Sequence, residues 1–334
     1  MKPSTLVVAL AVTFVCYDPT AVFGQTNDSA CDARTLVSTG GAFPRSPQTL
    51  AIRWTGYSNF ELVYKNQIIL LDAYFDRGSL YPPLGFTAAD VKRANVILLG
   101  HGHFDHMSDA VSVATRTGAS VVGAPVTVDA LLAQGLPATQ IRNVTGKGGE
   151  RLVFEHFTVE PILGRHGEPP ADVTGPFNQA LQRTTPRPSA EQLAEQVAIH
   201  ARGTNDPRVL AEGTLAYLIT FDDGFRVMYR DSGGTITKEE TAAMARIGRV
   251  DIALGAIAAS VLPSLTAQRA LDYMRAYKPD VFIPAHHDSS VNDLWRATEP
   301  IFQVLKDENP DIVTLSRGYR EPSCFDTTKR VRGR

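Results

Sequence analysis

The sequence predicts an α/β fold whose sheets are covered by helices on their outer faces. Two observations carry this. Strand-like apolar runs open each half of the chain, at 50–72 and 214–230, and further runs then alternate with helix-spaced segments. The runs VILLG (96–100) and VDIALGAI (250–257) are continuously apolar, as in strands buried on both faces.

In chain order, LAIRW, FELVY and QIILL within 50–72 read as three short strands with turn residues between them. VILLG is a buried strand ending in glycine. Residues 109–117 carry helical spacing, with Gly118 as C-cap. SVVGAP (120–125) reads as a strand and 126–135 as a helix. TLAYLITF (214–221) and FRVMYR (225–230) flank Asp222-Asp223-Gly224, a hairpin signal. VDIALGAI is a buried strand, 266–277 a helix and VFIP (281–284) a last strand. The segment 167–212 differs: it holds Pro169, Pro170, Pro176, Pro186 and Pro188, with a helix expected at 189–201. It reads as an insertion lying over the surface, a shaped lid rather than a free tether. No repeat of solenoid period is visible.

The chain has 334 residues, 43% hydrophobic and 20% charged, with a net charge of −2. That is an ordinary globular composition, and the near-zero charge argues against a general nucleic-acid binder. At the N-terminus, Lys2 precedes the apolar run LVVALAVTFVC, from Leu6 to Cys16. The run is shorter than the roughly 20 residues a bilayer span needs and fits a signal-peptide core. Val22-Phe23-Gly24 suits cleavage, so residues 1–24 are expected to be removed and the mature chain to start near Gln25, secreted or periplasmic, without a transmembrane anchor. Export leaves Cys31 and Cys324. Their spacing alone leaves open one disulfide or two free thiols.

The chemistry centres on His101-Gly102-His103-Phe104-Asp105-His106, directly after a buried strand. Imidazole and carboxylate are the ligands zinc takes when no thiolate is offered, and three cysteines are too few for a Cys-based zinc module. His101 and His103, two residues apart, can point the same way from an extended segment. Asp105 and His106 then face a second position. The arrangement suggests two metals side by side, each needing further ligands. Candidates stand after other strands: His166 after FTVEPILGR, Asp231 after FRVMYR, and His286 after VFIPA, with His287 and Asp288 beside it. His156 and His200 fit no such position. GxSxG, Walker A and GxGxxG motifs are absent.

His101-x-His103-x-Asp105-His106 followed by His166, Asp231 and His286 resembles the metallo-β-lactamase superfamily, over about 48–318. Within it, GTLAYLITFDDGFRVMYRDSGG (213–234) and IPAHHD resemble the branch containing ascorbate-phosphate lactonase and related hydrolases. The resemblance implies a four-layer αβ/βα sandwich with a dinuclear site at one edge. It implies that His101, His103 and His166 hold one divalent ion, that Asp105, His106 and His286 hold a second, and that Asp231 bridges them. Zinc is the first expectation, with manganese and iron as alternatives. Asp72, after QIILL, matches an early Asp that supports the ligands. His287 is the alternative to His286. The branch commonly reads Gly-His where this chain has Gly56-Tyr57. Relatives with a redox di-iron centre tend to carry Glu at the position of His103, which favours hydrolysis here.

The expected organisation is therefore a 25–47 N-terminal extension, a 48–318 domain carrying the 167–212 insertion, and a 319–334 tail. The expected activity is metal-dependent hydrolysis of a small-molecule lactone, amide or phosphodiester, with Asp105 as a ligand that can also accept a proton. The alternative is a non-hydrolytic metalloprotein of the same fold, either an iron oxidoreductase or a binding protein.

Overall fold

Two seven-stranded sheets face each other, and each changes from antiparallel to parallel pairing part-way across. The computed structural model describes residues 28–167, 187–257, 263–288 and 298–329. The expected signal peptide and residues 168–186 of the insertion lie outside them. The strands are β1 (Thr49–Trp54), β2 (Phe60–Tyr64), β3 (Gln67–Leu71), β4 (Val96–Leu98), β5 (Ser120–Gly123), β6 (Ile141–Asn143) and β7 (Leu152–Val153). They continue as β8 (Phe157–Gly164), β9 (Thr214–Phe221), β10 (Arg226–Arg230), β11 (Ile252–Ala256), β12 (Val281–Ala285), β13 (Val313–Thr314) and β14 (Pro322–Asp326). The first sheet runs β14-β1-β2-β3-β4-β5-β6 and the second β13-β12-β11-β10-β9-β8-β7.

Apolar side chains on both faces of these strands build three layers of core. Leu50, Ile52, Leu62, Ile69 and Leu98 meet Leu215, Tyr217, Ile219, Tyr229 and Leu254 between the sheets. Ala51, Val63, Leu70, Ile97 and Val121 face outward and take the helices Ala110–Thr117 and Pro125–Ala133 through Val113, Ala114 and Leu131. Met228, Ala253 and Phe282 do the same for Lys238–Ile247, Pro263–Tyr277 and Glu299–Glu308. Two helix layers outside two sheets make the four-layer αβ/βα sandwich.

Most expected elements appear within a residue or two, and local chemistry sets their ends. Gly118 takes φ 76° and its N–H caps Ala114, ending the helix. SVVGAP is strand only to Gly123, because Pro125 is the first residue of the next helix, where a missing N–H costs nothing. The 222–224 turn closes the β9–β10 hairpin, with Gly224 at φ 87°. Ser189 caps Ala190–His200 by accepting from the Gln192 N–H.

The chain ends differ from expectation. Within the expected 319–334 tail, Pro322–Asp326 forms β14, the edge strand of the first sheet, paired with β1. The 25–47 extension is docked where described. The buried Glu61 carboxylate accepts from the N–H groups of Val37 and Ser38 at 3.0 and 2.7 Å. Cys31 and Cys324 form a disulfide, with Cα atoms 5.9 Å apart. Among the described residues, no helix is long and apolar enough to cross a membrane.

Candidate metal centre

The chain delivers its candidate ligands from strand ends that meet at one edge of the sandwich. β3 and β4 are parallel, and Asp72 and the 100–106 loop follow them. β8 and β10 both run antiparallel to β9, so they run parallel to each other, and His166 and Asp231 leave from the same edge. β10, β11 and β12 are parallel, which brings His286 alongside. Leu215 N–H donates to Gly100 O at 2.8 Å and ties the two sheets together there.

Three groups of ligand atoms result, each with its members within 4.8 Å of one another: His101, His103 and His166; His101, His106 and Asp231; and Asp105, His106 and His286. Asp231 thus shares one neighbour with each of the other two groups. Its Oδ2 lies 2.5 Å from His101 Nδ1 and 3.6 Å from His106 Nδ1. His286 Nε2 lies 3.2 Å from Asp105 Oδ2. His287 turns elsewhere and stacks on Trp54, with ring centroids 4.3 Å apart.

Supporting bonds orient these rings. The buried Asp72 Oδ2 lies 2.7 Å from His106 Nδ1 and accepts from Ser58 Oγ and Tyr229 OH at 2.7 and 2.6 Å, while Oδ1 accepts from Gly100 N–H. Such partners fix tautomer and ring direction. His166 Nδ1 lies 2.7 Å from Gly167 O. Asp288 accepts from Tyr57 N–H at 2.7 Å and pairs with the Arg77 guanidinium at 2.5 Å. His286 N–H in turn donates to Tyr57 O at 2.7 Å. Tyr57, Asp72 and His286 all have left-handed backbone, at φ 47°, 56° and 57°, a strain that surrounding structure must sustain.

Burial lowers the pKa of His101 well below its ordinary value and that of His103 to about 4. Both are therefore neutral near pH 7, the state in which imidazole is a ligand. Burial also lowers His166 and raises Asp231. Burial opposes ionisation of Asp105, but His106 and His286 overcome it and hold the carboxyl well below the usual range. His106 is raised, because Asp105 and Asp72 outweigh its burial.

The donor set suits divalent cations. Asp231 is fully buried, its ion-pair partners are histidines, and among the described residues its Oδ1 has no hydrogen-bond partner. A buried carboxylate oxygen left in that state is costly unless something cationic faces it. A groove of about 1040 Å³ opens beside His103 and His166, between 163–167, 210–213 and 235–239.

A family model described as a beta-lactamase superfamily domain matches residues 67–287, which contain every one of these ligands. The chain belongs to the beta-lactamase superfamily. A UPF0173 metal-dependent hydrolase of Solibacter usitatus is 31% identical over 107 residues, covering 32% of this chain and 44% of that protein. The match thus spans less than half the length of that relative. A UPF0173 metal-dependent hydrolase of Agrobacterium fabrum is 28% identical over 245 residues, 72% of this chain and 86% of that one. The structure of a metallo hydrolase from Ignicoccus hospitalis superposes with a TM-score of 0.54 at 14% identity, over 83% of this chain and 98% of that one, which shows a shared fold.

Within this superfamily domain the sequence points to the seven clustered residues and to Asp72 as their support, but not to Ser58, Tyr229 and the Arg77–Asp288 pair. Ser58 and Tyr229 carry no spacing signal, since Tyr229 reads as one more apolar strand residue. Arg77 and Asp288 lie 211 positions apart, so their pairing is invisible along the chain. His200, set aside in the sequence, stacks on Phe104 at 3.7 Å beside the centre, whereas His156 sits by Asp222 on the distant hairpin.

Proposed function

We propose that this chain is a metal-dependent hydrolase in which His101, His103 and His166 hold one divalent cation, Asp105, His106 and His286 hold a second, and Asp231 lies between them. The observation that carries this reading is the buried Asp231 carboxylate, which groups with His101 of one triad and His106 of the other and has one oxygen unpartnered among the described residues. A divalent cation bound there would supply Lewis acidity and a water of lowered pKa. The chain's own residues do the rest. Asp72, Ser58 and Tyr229 hold the His106 ring in place. Asp105 would be a ligand of the second cation and could also accept a proton from the attacking water. The substrate is a small molecule with a lactone, amide or phosphodiester bond, entering by the groove beside His103 and His166. Zinc is the first choice, and manganese and iron are the alternatives.

The test is metal analysis of protein purified without added metal, with a panel of lactones, β-lactams and phosphodiesters assayed with zinc or manganese. About two cations per chain and chelator-sensitive hydrolysis are expected. Bound iron with oxygen consumption and no hydrolysis would overturn the reading. We place the mature protein outside the cytoplasm, a location supported by the Leu6–Cys16 run and by the Cys31–Cys324 bond, since disulfides persist in oxidising compartments. Intact mass of the exported protein should begin near Gln25. A soluble cytoplasmic pool retaining Met1 would refute export.

A further inference from the structure

We infer that Tyr74 is a substrate-contacting residue, its hydroxyl donating to an oxyanion held on the Asp105–His286 side of the centre within a cluster formed with Tyr57 and Tyr81. The inference deepens the hydrolase reading and rests on the same centre.

Tyr74 is fully buried, yet among the described residues its hydroxyl has no hydrogen-bond partner. Such a group is costly, and its survival points to a partner that arrives with a ligand. Its surroundings say which one. The Tyr74 ring meets Tyr57 edge-on at 5.0 Å and Phe104, the residue before Asp105, at 5.8 Å. Tyr57 in turn meets Tyr81 at 5.7 Å and His286 at 5.0 Å. Three phenols therefore gather beside the Asp105, His106 and His286 group. Burial raises the pKa of Tyr74, so its hydroxyl remains a neutral donor.

The cluster is rigid. Asp288 and His286 clamp the Tyr57 backbone, and the Arg77 guanidinium lies 5.5 and 5.6 Å from the Tyr57 and Tyr81 ring centres. Ile199 of the insertion helix packs on Tyr57 and Tyr74 from outside. A donor fixed in this way is preorganised for charge that develops on an oxygen. Hydrolysis of an ester, amide or phosphodiester leaves an oxyanion in every case, so the ligand class does not depend on which bond is cut.

The test compares the zinc-loaded full chain with its Tyr74→Phe variant, titrated calorimetrically with inorganic phosphate and with acetate. Affinity for at least one anion should fall by about tenfold or more, as expected for a hydrogen bond to a charged group. Zinc content should be unchanged, and the thermal midpoint unchanged or raised. Equal affinities, or no binding of either anion by the unsubstituted chain, would overturn the inference. So would a lowered midpoint, which would show that the hydroxyl is already satisfied within the protein. The hydrolysis panel reads separately: anion binding through Tyr74 without any cleavage refutes the hydrolase alone, and cleavage with equal anion affinities refutes the role of Tyr74 alone.

Discussion

Asp231 keeps its position because its neighbour has no side chain. A Cβ added at Gly100 would stand 1.9 Å from Asp231 Oδ2. Gly100→Ala should therefore displace the carboxylate, and metal analysis should find fewer cations per chain than in the unsubstituted protein. Asp231→Ala removes the carboxylate that stands beside one histidine of each triad and should lower cation content and hydrolysis together. Full activity in that variant would sink the dinuclear reading. Asp72 acts one bond further out, through His106. Asp72→Asn should weaken cation affinity by about 10–100-fold, a range typical for partners that orient ligands, measurable by competition with a chromogenic chelator.

The insertion helix Ala190–His200 contributes to the site by docking, and its apolar positions divide in two. Ile199 is buried against Tyr57 and Tyr74, whereas Leu193 and Val197 are 53% and 70% exposed. Gln196 Nε2 donates to Arg77 O, and Glu195 accepts from Ser79, so the helix is tied to the 77–79 loop. After it, Thr204 N–H donates to Gly102 O within the histidine loop. Ile199→Ala should cost about 2 kcal/mol, at the low end for a buried truncation because the site lies near the surface. It should raise KM while leaving metal content intact. Leu193→Ala should change neither, and steady-state kinetics with thermal melts of both variants checks the contrast.

Across the whole molecule, the two termini meet on the first sheet. The Cys31–Cys324 bond closes a separation of 293 residues and staples the N-terminal segment to β14, itself paired with β1. Reduction should lower stability by about 2–4 kcal/mol, seen as a lower thermal midpoint with reductant. Cys31→Ser should melt at the same lowered temperature with or without reductant. The candidate metal centre lies at the edge where strands of both sheets end, so a cation bound there would stabilise the folded state that assembles its ligands. Chelator should lower the midpoint and added zinc should restore it.

Most of the strands, the hairpin turn and the seven clustered residues were legible in the sequence because their causes are local, whereas the short edge strands β6, β7, β13 and β14 were not. Continuous apolar runs mark strands buried on both faces, Asp222-Asp223-Gly224 marks a turn, and a dense His/Asp loop after a strand marks a ligand site. Asp231 and His286 could be named because each directly follows a strand. What lay beyond the sequence depends on pairing between distant segments. The spacing of Cys31 and Cys324 could not choose between bond and thiols, and the choice follows from β14 pairing with β1. The adjacent His286 and His287 are equivalent as letters. The left-handed turn at His286 sends one ring to Asp105 and the other onto Trp54. Tyr74 carries no signal in the sequence, and only the packing of Tyr57, Phe104 and Ile199 around it leaves its hydroxyl buried and, among the described residues, unpartnered beside the centre. Local propensity acts within a few residues, but burial and hydrogen-bond satisfaction are properties of the assembled chain.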